Sequence, residues 1–336
     1  LLLSFGEFSL PHETKISKPM ELKSSPIRNL CALLLGAACL LCVPLHAYAA
    51  KAKTAAPAKA KAAAPARQSS ASRSSGGHGL AQEWTPTNSL RSYKKNYFLF
   101  YSSTNVPNNS PTSANRQNQV LTPYALDIKD VKFQISVKHD LADLQQYGSL
   151  WFAYTQRSFW QFYDSNNSRP FRENDYEPEF IYSIPASDAG IVNFGIVHQS
   201  NGESNPRSRS WDRVYIQPGF EYSDGGMRIA LLARWWQRLQ EDPLSDNNPD
   251  IVNYQGYREF TLRYIEEGMM EVEARSRIAS IQVDVAAPWT ALFGLDGKLE
   301  EEANIHLQYF NGYGESLLDY NQSHVSWGVG LSFHLE

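Results

Sequence analysis

Cysteine is almost missing from this chain: there are three in 336 residues, Cys31, Cys39 and Cys42, and all three fall within one short N-terminal stretch. The remainder therefore supports neither a disulfide scaffold nor a thiolate metal site. Long apolar runs are missing too. The longest, CALLLGAACLLCV (Cys31 to Val43), is 13 residues, too short for a membrane-spanning helix. No G-x-S-x-G elbow is present, which excludes the usual nucleophile turn of a soluble α/β esterase. From Ser92 onward no sustained helical period exists either, which argues against a helical bundle.

What is present begins with an export signal. Lys23 and Arg28 precede the apolar run, and Ala47-Tyr48-Ala49 closes it as a small-x-small cleavage site, so residues 20–49 read as a signal peptide. Met20 is then the expected start and residues 1–19 an upstream extension. Ala50 to Gly79 is rich in Lys, Ala, Pro, Ser and Gly, with too little apolar surface to fold. A disordered basic linker is expected over residues 50–90, followed by one folded domain, 91–336. Residues 1–49 hold 4 Lys/Arg and 3 Asp/Glu of the total 31 and 35, and Ala50 to Gly79 holds 6 Lys/Arg and no acid. Residues 80–336 thus carry 21 basic against 32 acidic side chains, a net charge of −11 that excludes nucleic acid as a partner.

The folded part consists of short alternating segments separated by Asn, Asp, Gly, Pro and Ser clusters. That pattern predicts an all-β protein, a 12-stranded antiparallel transmembrane β-barrel of the outer membrane. Strands are expected at 94–103, 129–139, 148–160, 176–186, 190–200, 210–223, 226–238, 254–266, 269–279, 281–290, 302–311 and 324–334. In the last, Val325, Trp327, Val329, Leu331 and Phe333 alternate with Ser326, Gly328, Gly330 and Ser332. Large residues outside and small ones inside suit a narrow, filled barrel. The mean hydropathy of −0.43 is compatible, because half of each strand faces a polar interior. The 18 Tyr and 8 Trp suit aromatic girdles at the two membrane interfaces. The chain ends His334-Leu335-Glu336 rather than on the aromatic residue common in such barrels.

Ile191 to Tyr222 carries the most chemistry. Residues two apart on a strand share a side, so His198 and Ser200 lie with Val192, Phe194 and Ile196. After the Asn201 to Ser210 loop, Asp212 lies in register with Val214, Ile216, Phe220 and Tyr222. Paired as a hairpin, the two strands bring His198, Ser200 and Asp212 together at one end of the apolar face. This set meets the requirement for a hydroxyl nucleophile activated by an imidazole that a third group orients. A His-x-Ser pair alone is weak evidence, because a lone His or Ser in a polar loop is far more often a hydrogen-bonded surface residue. The coincidence of three residues on one face, beside a loop rich in donors and acceptors, favours catalysis. Arg209 and Arg213 are close enough in sequence to solvate Asp212.

HQSNG (His198 to Gly202) and SRSWDR (Ser208 to Arg213) resemble the signature of the outer membrane phospholipase A family. YTQRSFWQ (Tyr154 to Gln161), SRPFRENDYEP (Ser168 to Pro178), DNNPDI (Asp246 to Ile251) and YGESLLDYN (Tyr313 to Asn321) resemble further blocks of it, in the family's order, over about residues 90–336. The resemblance implies a Ca²⁺-dependent phospholipase A1/A2, active as a homodimer on the phospholipid of the outer membrane. It places the nucleophile at Ser200, the general base at His198 and the third position, usually Asn, at Asp212. Oxyanion donors fall on the backbone of Ser200 and Gly202. Calcium positions fall on Glu203 and Ser208 of one subunit and Ser168 of the other. Glu203 departs from the family, whose residue there is often Arg and contributes only its carbonyl. A second calcium position aligns with Asn247, beside Asp246 and Asp250. Gln156 sits at the position that pairs with its copy across the dimer, although a Gln at headgroup level reads equally well from the residues alone. Two other classes remain open: a non-enzymatic porin-like or structural barrel, and a soluble secreted β-rich esterase.

Overall fold

A computed structural model describes residues 79–289 and 303–335, all within one compact unit, Ser70–Glu336. The expected upstream extension, signal peptide and most of the basic linker lie outside the described residues. So do the predicted strand ends at 290 and 302.

Among the described residues, thirteen strands form one sheet. They are β1 (Arg91–Ser92), β2 (Asn96–Thr104), β3 (Lys129–Asp143), β4 (Ser149–Trp160), β5 (Phe171–Ser187), β6 (Gly190–Ser200), β7 (Ser210–Asp224), β8 (Met227–Arg238), β9 (Arg258–Glu266), β10 (Met270–Arg277), β11 (Ser280–Pro288), β12 (Asn304–Tyr313) and β13 (Ser323–Phe333). Each strand from β2 to β13 pairs antiparallel with the next, and β13 returns to β2, matching Trp327 with Ser103 and Phe333 with Asn96. The ring of twelve is closed, which removes every unpaired edge. The two residues of β1 pair with Val137 and Lys138 of β3 beside the start of β2.

Three boundaries differ from expectation by four residues or more: β3 runs on to Asp143 rather than 139, and two strands start elsewhere. β5 starts at Phe171, not 176, because its early residues already alternate: Glu173, Asp175 and Glu177 are buried and face inward, with Asn174 and Tyr176 outward. An acidic segment reads as loop until a charged interior is there to receive it. The strand expected from 254 starts at Arg258, because Ile251–Gln255 forms a short helix, α1. Gly256 ends it at φ +67°, and Ile251 and Gln255, one turn apart, are buried.

The barrel is apolar outside and charged inside. Phe180, Phe194, Ile196, Val214, Ile216, Phe220, Leu307 and Trp327 are exposed on the outer wall. Lys132, Glu179, Asp284 and His306 are fully buried in the lumen. Buried charge is costly unless it is paired and hydrogen-bonded, and here opposite charges are set against one another. Lys132 Nζ reaches Glu315 (2.8 Å) and Gln308 (2.5 Å), and Glu179 accepts from Tyr215 Oη (2.8 Å) and faces Arg234 (3.5 Å) and Lys94 (3.3 Å). An interior space of about 70 Å³ remains, lined by charged side chains including Glu177, Arg213, Arg234 and Glu273. That leaves room for a few waters. Such filling gives no support to a conducting pore among the described residues.

Residues 79–90, assigned to the linker by composition, instead pack into the barrel. Leu80 and Trp84 join Trp151, Ala153, Ile181, Ile191 and Leu232 in a buried apolar cluster. Trp84 meets Trp151 edge to face at 5.6 Å, and Lys138 Nζ lies 3.7 Å over the Trp84 ring. Leu80 N–H donates to Glu221, and Arg263 pairs with Glu83 at 3.1 Å. Leu80 and Trp84 supply the apolar surface that the composition of Ala50 to Gly79 lacks. This segment enters at the end of the short turns 144–148, 188–189, 225–226 and 267–269. The loops 105–128, 161–170, 201–209, 239–257 and 314–322 lie at the other end, which in barrels of this type faces the exterior.

Candidate active site

β6 and β7 are joined by the 201–209 loop, and their register places His198 directly opposite Asp212 and Ser200 opposite Ser210. Alternation along β6 buries Val197 and Gln199 and leaves Ile196 and His198 outside. β7 does the same with Arg213 in and Asp212 and Val214 out. The His–Asp pair is therefore on the outer wall at the long-loop end, at the top of an apolar surface. His198 Nδ1 and Asp212 Oδ1 are 2.7 Å apart, with side-chain exposures of 48% and 42%. Ser200 shares that wall two residues further on, beside Tyr176, its partner on β5. Among the described residues neither Ser200 Oγ nor His198 Nε2 has a hydrogen-bond partner.

The loop after Ser200 is built from inside. Asn201 is buried, and its Oδ1 accepts from Arg209 N–H (2.9 Å) and Glu203 N–H (3.3 Å), while its Nδ2 donates to the Arg207 carbonyl (2.9 Å). Gly202 has φ +66°, which favours glycine, and a side-chain Cβ there would sit tightly, 3.1 Å from the Tyr176 ring. The Gly202 N–H has no acceptor among the described residues.

Arg209 and Arg213 do not solvate Asp212. Arg213 faces the lumen, bonded to Gln199 and 4.0 Å over the Trp211 ring, because successive residues of a strand take opposite sides. Arg209 is fully buried and donates to the carbonyls of Pro206, Ser208, Thr112 and Asn118. Burial lowers its pKa, against the attraction of Tyr320, Glu173, Asp250 and Asp319. It ties the 105–128 loop to the loop beside the His–Asp pair. Asn118, also fully buried, adds bonds from its Nδ2 to Asn205 Oδ1 (2.9 Å) and the Ser208 carbonyl (3.1 Å). Sequence reading overlooked Asn118 and Tyr176, since their partners lie on distant segments. Asn201-Gly202 was the one local turn signal available.

The expected calcium positions occupy two loops. The Glu203 carbonyl accepts no hydrogen bond among the described residues, and the Glu203 carboxylate faces Arg207 at 3.4 Å. Ser208 Oγ accepts from Asn247 Nδ2 at 2.9 Å. Ser168 is in the 161–170 loop with left-handed backbone, φ +62°. No bond joins it to Glu203 or Ser208 of its own chain among the described residues. The donors are all hard oxygens, of the kind Ca²⁺ takes, but one chain offers fewer than the six to eight it requires. No cluster of three His, Cys, Asp or Glu suited to a metal occurs among the described residues. Near Asn247 the carboxylates are already engaged: Asp246 by Arg238 (2.7 Å) and Asp250 by Tyr320 Oη (2.6 Å). Gln156 points outward from β4, accepting from Tyr154 Oη and donating to Ser158 Oγ, both at 3.2 Å.

The sequence model of the phospholipase A1 family matches residues 80–333. The chain belongs to that family. A phospholipase A1-like protein of Neisseria meningitidis is 33% identical over 257 residues, 73% of this chain and 65% of that protein. Outer membrane phospholipase A from Escherichia coli superposes with a TM-score of 0.59 at 27% identity, over 72% of this chain and 93% of that one. A calcium-bound dimer of the outer membrane phospholipase of Salmonella typhi gives 0.60 at 28% identity, over 76% and 95%. Family and fold together make this an outer-membrane β-barrel of a family of ester hydrolases, with no apolar spanning helix among the described residues.

Proposed function

We propose that this barrel hydrolyses acyl ester bonds of membrane phospholipids on its outer wall, with Ser200 as nucleophile, His198 as general base and Asp212 as the group that orients the imidazole. The observation that carries the reading is the 2.7 Å His198–Asp212 pair facing lipid with Ser200 on the same side. Asp212 accepts from Nδ1–H, leaving Nε2 as the free base toward Ser200. As Ser200 Oγ attacks the ester carbonyl its proton passes to Nε2, and the resulting imidazolium is stabilised by Asp212. That proton then leaves with the lysophospholipid alkoxide, and water repeats the sequence on the acyl-enzyme. The N–H groups of Ser200 and Gly202 are the oxyanion donors, each aimed at charge that develops only in the tetrahedral state.

Ca²⁺ would be held by Ser208 Oγ and Glu203 of one subunit and by Ser168 of a second, with water completing the shell. Bound there, the ion supplies positive charge beside the developing oxyanion. Because the single chain lacks a full ligand set, the active form in this reading is a homodimer, with Gln156 on the contact face. The calcium-bound dimer of the Salmonella typhi protein supports both assignments.

The test is fatty-acid release from phospholipid–detergent micelles by wild type and Ser200→Ala, each with calcium and with chelator. Loss of about 10³-fold or more is expected for Ser200→Ala, and a similar fall for wild type in chelator. Equal release by the two proteins in calcium would end the proposal.

A further inference from the structure

The 201–209 loop turns on one side chain. The β5–β6 ladder ends with Tyr176 opposite Ser200, so β5 overhangs its neighbour from Phe171 to Asp175. Glu173, on that overhang, faces inward and is fully buried. Its Oε1 takes the Leu318 N–H of the 314–322 loop at 2.6 Å, and Asp175 takes the Leu317 N–H at 3.1 Å. Asn201 Nδ2 donates to the same Glu173 Oε1 in a longer bond of 3.4 Å. With the bonds to the Arg207 carbonyl and from the N–H groups of Glu203 and Arg209, this occupies all four hydrogen-bonding positions of the amide, two donating and two accepting. The Asn201 N–H also donates to the Arg209 carbonyl at 3.0 Å, so this residue clasps both limbs of the loop at its neck.

Asn201 stands between Ser200 and Gly202, whose N–H groups are the oxyanion donors of the proposed mechanism. The bond from Glu203 N–H to Asn201 Oδ1 spans Gly202 as an Asx turn. That ring leaves the Gly202 N–H unused, and the left-handed backbone of Gly202 sets its direction. The Asn201 amide itself faces the interior, on the other side of the wall from Ser200, so it acts through the backbone. We propose that Asn201, braced by Glu173, is a positioning residue that holds the Gly202 N–H on the oxyanion as it develops. A displacement of about 1 Å at a reacting centre costs on the order of 10²-fold in rate, which is what the brace prevents. Other side chains cannot replace it. Ala leaves four partners open, Asp offers no donor and sets a carboxylate against Glu173, and Gln carries its amide one methylene too far. The inference rests on the functional reading above and names what keeps its oxyanion donor in place.

The experiment measures kcat/KM on dipalmitoyl phosphatidylcholine in detergent micelles with calcium, together with inhibition by two analogues of that lipid. One is a trifluoromethyl ketone, whose adduct with Ser200 Oγ carries the same anionic oxygen as the tetrahedral state. The other is a diether, which occupies the site without a carbonyl. Heat-modifiable electrophoretic mobility confirms that each variant is folded. Asn201→Ala lowers kcat/KM by about 10²-fold and weakens the ketone by the same factor, while the diether binds as to wild type. Asn201→Asp does the same, which keeps the test open should Asn201→Ala fail to insert. Glu173→Ala moves kcat/KM and the ketone together by severalfold, and Glu173→Gln, which keeps an acceptor, restores both. Asn96→Ala, at a buried asparagine bonded to Ser136 N–H at the other end of the barrel, leaves both inhibition constants unchanged. Wild-type kcat/KM in the folded Asn201 variants, or slower turnover with wild-type affinity for the ketone, overturns the positioning role; with Ser200→Ala inactive the catalytic assignment still stands. Full activity of Ser200→Ala overturns the catalytic assignment instead.

Discussion

The barrel carries two histidine–aspartate pairs of similar geometry on opposite sides of its wall. His198 and Asp212 are 2.7 Å apart outside, each nearly half exposed. His306 Nε2 and Asp284 are 3.0 Å apart inside, both fully buried. The inner pair is hemmed in. Asp284 also accepts from Gln282 and Gln308 and faces Arg275, while the His306 ring stacks on Tyr97 at 5.2 Å with its other nitrogen buried and unpartnered. The outer pair has one partner each, a free imidazole nitrogen and a serine on the same wall. An acid beside an imidazole is thus a structural unit in one place and, in the proposed mechanism, the basis of a nucleophilic site in the other. Access and the open second nitrogen decide which.

Substitutions in the two pairs should separate these roles. The largest effect is expected for His198→Ala, a loss of about 10³–10⁴-fold in kcat/KM with thermal unfolding unchanged; a comparable loss in folded His306→Ala would erase the distinction. Next is Asp284→Ala, which leaves His306 without its acid and Arg275 with Glu273 alone, and destabilises the barrel by about 3–5 kcal/mol. Its rate per folded molecule stays at wild type, as urea titration followed by tryptophan fluorescence and an activity assay would show.

A smaller effect concerns acid. In the 314–322 loop, burial opposes ionisation of Asp319, but Arg172 at 2.5 Å and His324 outweigh it and hold the carboxyl below its ordinary range. A carboxyl depressed in the folded state stabilises above the unfolded pKa of about 4, and that contribution is lost as pH falls through the folded value. Asp319→Asn should remove about 2 kcal/mol at neutral pH and flatten the stability loss below pH 4. A variant with the acid sensitivity of wild type would show that Asp319 plays no part in it. Smallest is Asp212→Asn, which keeps an orienting acceptor for His198 without its charge. Activity within about tenfold of wild type, about 1.4 kcal/mol, is expected, with an altered pH profile; a folded, inactive variant would mean the charge itself is indispensable.

Most of the barrel could be read before any coordinates, because a period of two is written into every strand and a closed sheet must be filled on one side and greasy on the other. The outward projection of His198 and Asp212 follows from the same period. What stayed hidden depends on residues remote in the chain. Glu173 and Asp175 look like loop until Leu317 and Leu318 donate their N–H groups to them. Tyr254 and Gln255 look like a strand start until Gly256 ends a helix packed near Trp211 and Tyr320. Arg209 and Arg213 look like neighbours of Asp212 until alternation and the 105–128 loop draw them inward. Leu80 and Trp84, at the end of a polar arm, gain meaning only from a lumen with an apolar patch to receive them.

That inserted segment has a consequence for traffic. With Trp84 and its neighbours packed into one mouth and the salt lattice filling the bore, the described residues leave no passage for a lipid through the cylinder. In the proposed mechanism, whatever arrives at His198, and whatever is released from it, must then travel sideways within the leaflet, so the rate of supply is governed by lateral diffusion.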